Sequence, residues 1–89
     1  MRTVVTVTGK DRKGIIAKIS AFLAEKGANI EDISQTIMGE YFAMIMIVDV
    51  SDSTKSLAEL AKECHEMGQQ IGMAVYMQHE DIFNAMHNI

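Results

Sequence analysis

The chain has 89 residues, 48% of them apolar, and a net charge of −4 from eight Lys/Arg against twelve Asp/Glu. One-domain length with mild acidity and no basic run argues against non-specific nucleic-acid binding, and no window of about 18 apolar residues exists to span a membrane. A single cysteine, Cys64, rules out an intrachain disulfide; with no signal-peptide pattern, a cytoplasmic protein is expected.

The first element is β-branched throughout: "TVVTVT", Thr3–Thr8, predicts a strand. Ile15, Ile16, Ile19, Phe22 and Leu23 then recur at helical spacing, and Gly27 stands where a C-terminal cap belongs. Ile30–Met38 and Tyr41–Val50 predict two further strands. Only Gly39 and Glu40 separate them, and a two-residue loop with glycine first is the mark of a type II′ hairpin.

A second helix carries Leu57, Leu60, Ala61, Cys64 and Met67 on one side. Ser56 and Glu59 match a capping box at its start, with Ser53 a possible cap one turn earlier. Ile71–Met77 alternates as a fourth strand, and Ile82, Phe83, Met86 and Ile89 form an amphipathic tail.

The order β-α-β-β-α-β with right-handed crossovers gives an α+β, ferredoxin-like sandwich: a four-stranded antiparallel sheet with two helices on one face. Residues 1–78 form this core and residues 79–89 a short C-terminal helix. The third strand, "YFAMIMIVDV", is apolar on both sides, while the two helices can cover only one. The C-terminal helix, a second subunit, or both must cover the other, and a homodimer is expected.

The stretch "VTGKDRKGIIAKIS", Val7–Ser20, packs two glycines and four charges into one strand-to-helix junction. Gly14 begins the helix, so the first-turn N–H groups of Ile15 and Ile16 and the helix dipole form a potential anion site. Asp11 is placed to take an ammonium group; equally, it fits as the helix cap. Arg12 reads either as a ligand contact or, with Lys10 and Lys13, as part of a solvated loop. Gly9 and Gly14 serve backbone geometry or the close approach of a ligand.

Other chemistries fit poorly. "GKDRKGII" has Walker-A glycine spacing but Ile15 and Ile16 stand where Lys and Ser/Thr are required. An acylphosphatase, with the same order of elements, would need an arginine and an asparagine. Lys18 is only a partial match, Asp11 would repel phosphate, and the third strand offers no asparagine. Cys64 falls on an apolar helix side and reads as a buried hydrophobe. His65, His79 and His87 lack ligand spacing, and Glu80 and Asp81 suit a helix N-terminus. No catalytic residue, metal or cofactor is expected, and the methionines read as core filling.

"GKDRKGIIAKIS" at the first turn and "EKGANIEDISQ" before the second strand resemble the ACT domain, specifically small stand-alone ACT proteins similar to the ACT modules of the glycine cleavage repressor. The ending "HEDIFNAMHNI" is similar to that group's C-terminal helix. The resemblance implies a non-catalytic regulatory module that binds a small molecule, most often an amino acid, at a homodimer interface and signals to a partner protein. It also implies ligand contacts from Asp11 and from Asn29 of "GAN". Lys13 replaces the proline of the family's usual D-R-P-G loop, removing a preset φ and adding a charge. A ligand-free interaction module using the apolar sheet face and the tail is the alternative.

Overall fold

The structure, a computed structural model, describes residues 1–87, so Ile89 of the predicted tail lies outside the described residues. Its elements are β1 (Arg2–Lys10), α1 (Ile15–Glu25), β2 (Asn29–Met38), β3 (Tyr41–Asp49), α2 (Leu57–Gln70), β4 (Met73–His79) and α3 (Glu80–His87). The four strands form one antiparallel sheet in the order β2-β3-β1-β4. This is the expected ferredoxin-like arrangement.

Period-two alternation sends Val5 and Val7 of β1 and Met44, Met46 and Val48 of β3 to one side of the sheet. There they meet Ile15, Ile19 and Leu23 of α1 and Leu60 and Cys64 of α2 in one buried core. Thr3 is the buried polar residue among those described, and its hydroxyl donates to the Val48 carbonyl at 3.2 Å. The methionines Met44, Met46, Met73 and Met77 are all core residues.

The connections follow the local chemistry. Gly27 (φ 76°) ends α1, its N–H donating to the Ala24 carbonyl while the Ala28 N–H reaches the Leu23 carbonyl. That pair of bonds is a Schellman motif. The Gly39–Glu40 turn has positive φ only at the glycine, which is the type II′ form. At α2 the Ser56 hydroxyl accepts the Glu59 N–H and the Glu59 carboxylate accepts the Ser56 N–H, completing the capping box. Ser53 instead accepts the Lys55 N–H, outside the helix.

The fourth strand starts later than its alternation predicts. Ile71 closes α2, its N–H bonded to the Met67 and Gly68 carbonyls, and Gly72 turns the chain at φ 75°. β4 therefore begins at Met73 and runs on to His79.

The opposite side of the sheet is only partly covered. Helix α3 follows β4 directly and folds back over it: Arg2 pairs with Glu80, and the Gln78 amide donates to the Met86 sulfur at 3.3 Å. Val4, which points to this side beside Gln78, is 3% exposed. Farther along the strands the cover ends, and Ile45, on β3, is 46% exposed.

The two edge strands differ. Every residue of β2 except Ile30 is exposed, and a bulge interrupts its register between Ile30 and Asp32. On β4, the His65 Nδ1–H donates to the Val75 carbonyl at 3.1 Å, and the imidazole lies 5.3 Å from the Tyr76 ring. His65 thus leaves the core, as its position after Cys64 predicts, but it reaches the neighbouring strand.

Candidate functional site

The junction between β1 and α1 opens on a hollow of about 280 Å³. Asp11, Arg12, Gly14, Ile15 and Ile16 line one side of it. Ala17 continues that side, while Gln35 and Ile37 of β2 and Phe42 of β3 close the other.

Helix α1 enters this hollow uncapped. Its N-cap is Gly14, held in the left-handed region at φ 81°, and no side-chain hydrogen bond caps the helix among the described residues. The first helical hydrogen bond runs from the Lys18 N–H to the Gly14 carbonyl, so the N–H groups of Ile15, Ile16 and Ala17 have no intrahelical acceptor. No acidic residue lies in the first turn. The reading of Asp11 as the helix cap is therefore wrong: Asp11 sits three residues before the cap, with an exposed side chain.

The backbone of Asp11 is nevertheless fixed. Its N–H donates to the Glu40 carbonyl at 2.8 Å, and Lys10 Nζ lies 4.0 Å from the Glu40 carboxylate. The loop is thus tied to the β2–β3 hairpin, and that tie brings Ile37 and Phe42 to the helix start. The Arg12 guanidinium reaches over the α2–β4 turn, where its carbon would lie 3.3 Å from a Cβ at Gly72. Among the described residues Arg12 has no ion-pair partner.

Two expected site residues stand elsewhere in the single chain. Gly9 does not line the hollow. It pairs with Phe42 and Met73 within the sheet, and a Cβ there would stand 2.7 Å from the Met73 sulfur and 3.3 Å from the Gly72 carbonyl oxygen, so the glycine leaves room for the end of the Met73 side chain. Asn29 begins β2, eight residues from Ile37, roughly 26 Å at the usual strand rise. Its side chain is not needed for the Gly27 turn, which the backbone bonds already satisfy. Sequence reading missed Ala17, Ile37 and Phe42; the shared side of Gln35 and Ile37 was visible in the period-two pattern, but the depth of the hollow beside α1 was not.

The polar groups outside the hollow are engaged structurally. His79 Nδ1 accepts the Asp81 N–H at 3.0 Å and so caps α3, which accounts for the His-Glu-Asp run at that turn. Burial pushes the Cys64 thiol up to about 11, away from nucleophile chemistry. Among the described residues no three His, Cys, Asp or Glu side chains gather as metal ligands.

The model of the ACT domain family matches residues 2–78. The chain belongs to the ACT domain family. The UPF0237 protein of Methanocaldococcus jannaschii is 56% identical over 88 residues, covering 99% of this chain and 98% of that protein. An ACT domain protein from Streptococcus pneumoniae shares the structure at a TM-score of 0.83 and 41% identity, with 98% of each chain covered. A putative glycine cleavage system transcriptional repressor shares the fold at a TM-score of 0.72 and 24% identity over 86% of this chain and 44% of that one. ACT domains are regulatory modules that bind small ligands and generally dimerise, and membership points to a regulatory domain rather than a catalytic one. No helix among its described residues is long and apolar enough to cross a membrane.

Proposed function

We propose that this ACT chain is a cytoplasmic sensor of a free amino acid, acting as a homodimer that signals to a partner protein. The observation that carries the reading is the uncapped start of α1 opening on a hollow beside the exposed Asp11. Unpaired N–H groups and the positive end of the helix suit a carboxylate, and the Asp11 carboxylate suits an ammonium. Ile16, Ile37 and Phe42 offer an apolar wall to the ligand's side chain. A hollow of about 280 Å³ lies at the small end of ligand sites, ~300–1,000 Å³, which favours a molecule of amino-acid size.

A second subunit would complete the site. The hollow opens beside β2, an edge strand whose outer backbone is unpaired in the sheet. In an antiparallel pairing of two such edges, with the two-fold axis between Ile33 and Ser34, Ile30 and Asn29 of the partner subunit fall opposite Ile37 and Met38. That arrangement supports Asn29 together with Asp11, Arg12, Gly14, Ile15 and Ile16 as ligand-contacting residues; Gly9 supports them through strand packing. Ligand held across two copies favours one dimer arrangement by its difference in affinity, which is the only way such a module can regulate.

Thermal unfolding against the twenty amino acids tests this. A true ligand at about 100 times its dissociation constant adds ~2.7 kcal/mol of stability. Asp11→Ala should abolish that gain and leave the unliganded melting temperature unchanged, because the Asp11 side chain is exposed and only its backbone is bonded. No stabilisation by any amino acid would overturn the reading and favour the ligand-free interaction module, for which the exposed sheet side around Ile45 is the supporting observation.

A further inference from the structure

The outer surface of the helical layer carries a hollow of its own, about 290 Å³, where α1 faces α2. Phe22 and Met67, both packed on the core below, give it an apolar floor. Glu25 and Lys26 of α1 and Glu63, Glu66 and Gln70 of α2 stand around that floor.

Part of this rim already holds a cation. Lys26 Nζ lies 5.5 Å from the centre of the Phe22 ring and 2.9 Å from the Glu63 carboxylate, and Lys55 Nζ meets the same carboxylate at 2.7 Å. The pairing of an aromatic ring with a carboxylate is what retains a cationic group at such a surface. Glu25 and Glu66 are placed differently. Both are exposed, and among the described residues neither has an ion-pair partner. Glu25 also breaks a local rule. It is the last residue of α1, at the negative end of the helix dipole, and no basic residue lies in that last turn. A carboxylate there is unfavourable, and no cation within the described chain offsets it. Local rules broken without internal compensation belong to functional surfaces.

We propose that this hollow docks an arginine side chain presented by a partner protein, the guanidinium bridging Glu25 and Glu66 and the aliphatic stem lying on Phe22 and Met67. Charge complementarity selects the occupant. The two free carboxylates and the helix end ask for a cation, and the net charge of −4 steers a basic partner toward the chain. A guanidinium is planar with five N–H donors, so it can serve carboxylates on two helices at once; a lysine ammonium is a compact point charge. The stem of arginine covers apolar surface while its head stays with the rim. The volume lies below the ~300–1,000 Å³ of sites for drug-sized ligands, which suits one side chain rather than a whole helix. This surface shares no residue with the hollow at the start of α1 and does not rest on the amino-acid reading.

Amide chemical shifts of the full chain, titrated with Nα-acetyl-arginine methylamide, test it. The shifts should concentrate on residues 22–26 and 63–70 and saturate in the millimolar range. The citrulline analogue, of the same shape without the charge, should not bind, and the lysine analogue should bind several-fold less tightly. Glu25→Gln and Glu66→Gln should each weaken arginine binding roughly fivefold, the upper end for one exposed ion pair. Neither should disturb the fold. Glu66→Gln should leave the melting temperature unchanged, and Glu25→Gln should raise it slightly because the end of α1 is relieved of a like charge. Weaker binding together with greater stability separates a docking role from a structural one. Shifts spread over the other carboxylates of the chain, citrulline or lysine analogues that bind as well as arginine, or unchanged affinity in both variants would each overturn the proposal.

Discussion

Gly68 lies inside α2 and is buried against β4, where a Cβ would stand 2.5 Å from Val75 Cγ2 and 2.9 Å from the Met73 carbonyl oxygen. Gly68→Ala gains about 1 kcal/mol of helix propensity. It also drives a methyl group into a β-branched side chain and a strand backbone, neither of which can yield freely, at a cost of ~1–3 kcal/mol. Packing wins, and the urea midpoint should fall relative to the unsubstituted chain. A midpoint that rises would mean that α2 can lift from the sheet without loss. Gly14 is a different case: a Cβ there meets nothing within 4 Å, and only its left-handed φ asks for glycine. Sequence alone could not separate these two glycines, since one answers to a neighbour distant in the chain and the other to its own backbone. Asp11 was ambiguous for the same reason. Its residue type fits a cap, and only the position of the helix start, at Ile15, decides that it is not one.

At the scale of elements, α1 and α2 are joined by a small charged cluster on their outer surface. Lys55 Nζ and Lys26 Nζ approach the Glu63 carboxylate at 2.7 and 2.9 Å. The hydrogen bond from Lys55, and then that from Lys26, hold the Glu63 carboxyl below its ordinary value of 4.5. A carboxyl whose folded value is depressed contributes stability that is fully present above its ordinary range and is lost as pH falls through the folded value. Melting temperature should therefore drop on acidification below about 4.5, and Glu63→Gln should lower it at neutral pH while flattening that acid limb. An acid limb of unchanged steepness in Glu63→Gln would assign the pH dependence to other carboxylates. The elements themselves were legible where pattern and punctuation agree. The two-residue turn at Gly39 and the capping box at Ser56 are local chemistry, and both form as read. The start of β4 was not legible, because Ile71 continues the apolar alternation while its N–H is already committed to α2. The bulge between Ile30 and Asp32 left no mark in the sequence either.

Across the whole molecule, period and order were enough to predict the sheet, its two helices and the apolar excess of β3. The candidate site was half legible. Residues contiguous in the first loop could be named together, but the wall formed by Ile37 and Phe42 depends on how closely the hairpin approaches α1, which the Asp11–Glu40 bond sets. The extent of cover by α3 was also beyond sequence, since eight residues of amphipathic helix can shield one row of the sheet but not three.

The bond from His65 to the Val75 carbonyl bears on how the sheet can grow. A ferredoxin-like sheet has two ends at which another strand can add, and a chain with both ends bare can polymerise without limit. Here the imidazole occupies a mid-strand acceptor on β4 and lies across Tyr76, whereas β2 is bare. Addition at β2 therefore uses up the one free end of each copy and stops at a pair. His65→Ala should release the second end, and light scattering at high protein concentration should then rise with time where the parent solution stays clear. If it stays clear as well, the twist of β4 alone terminates the sheet.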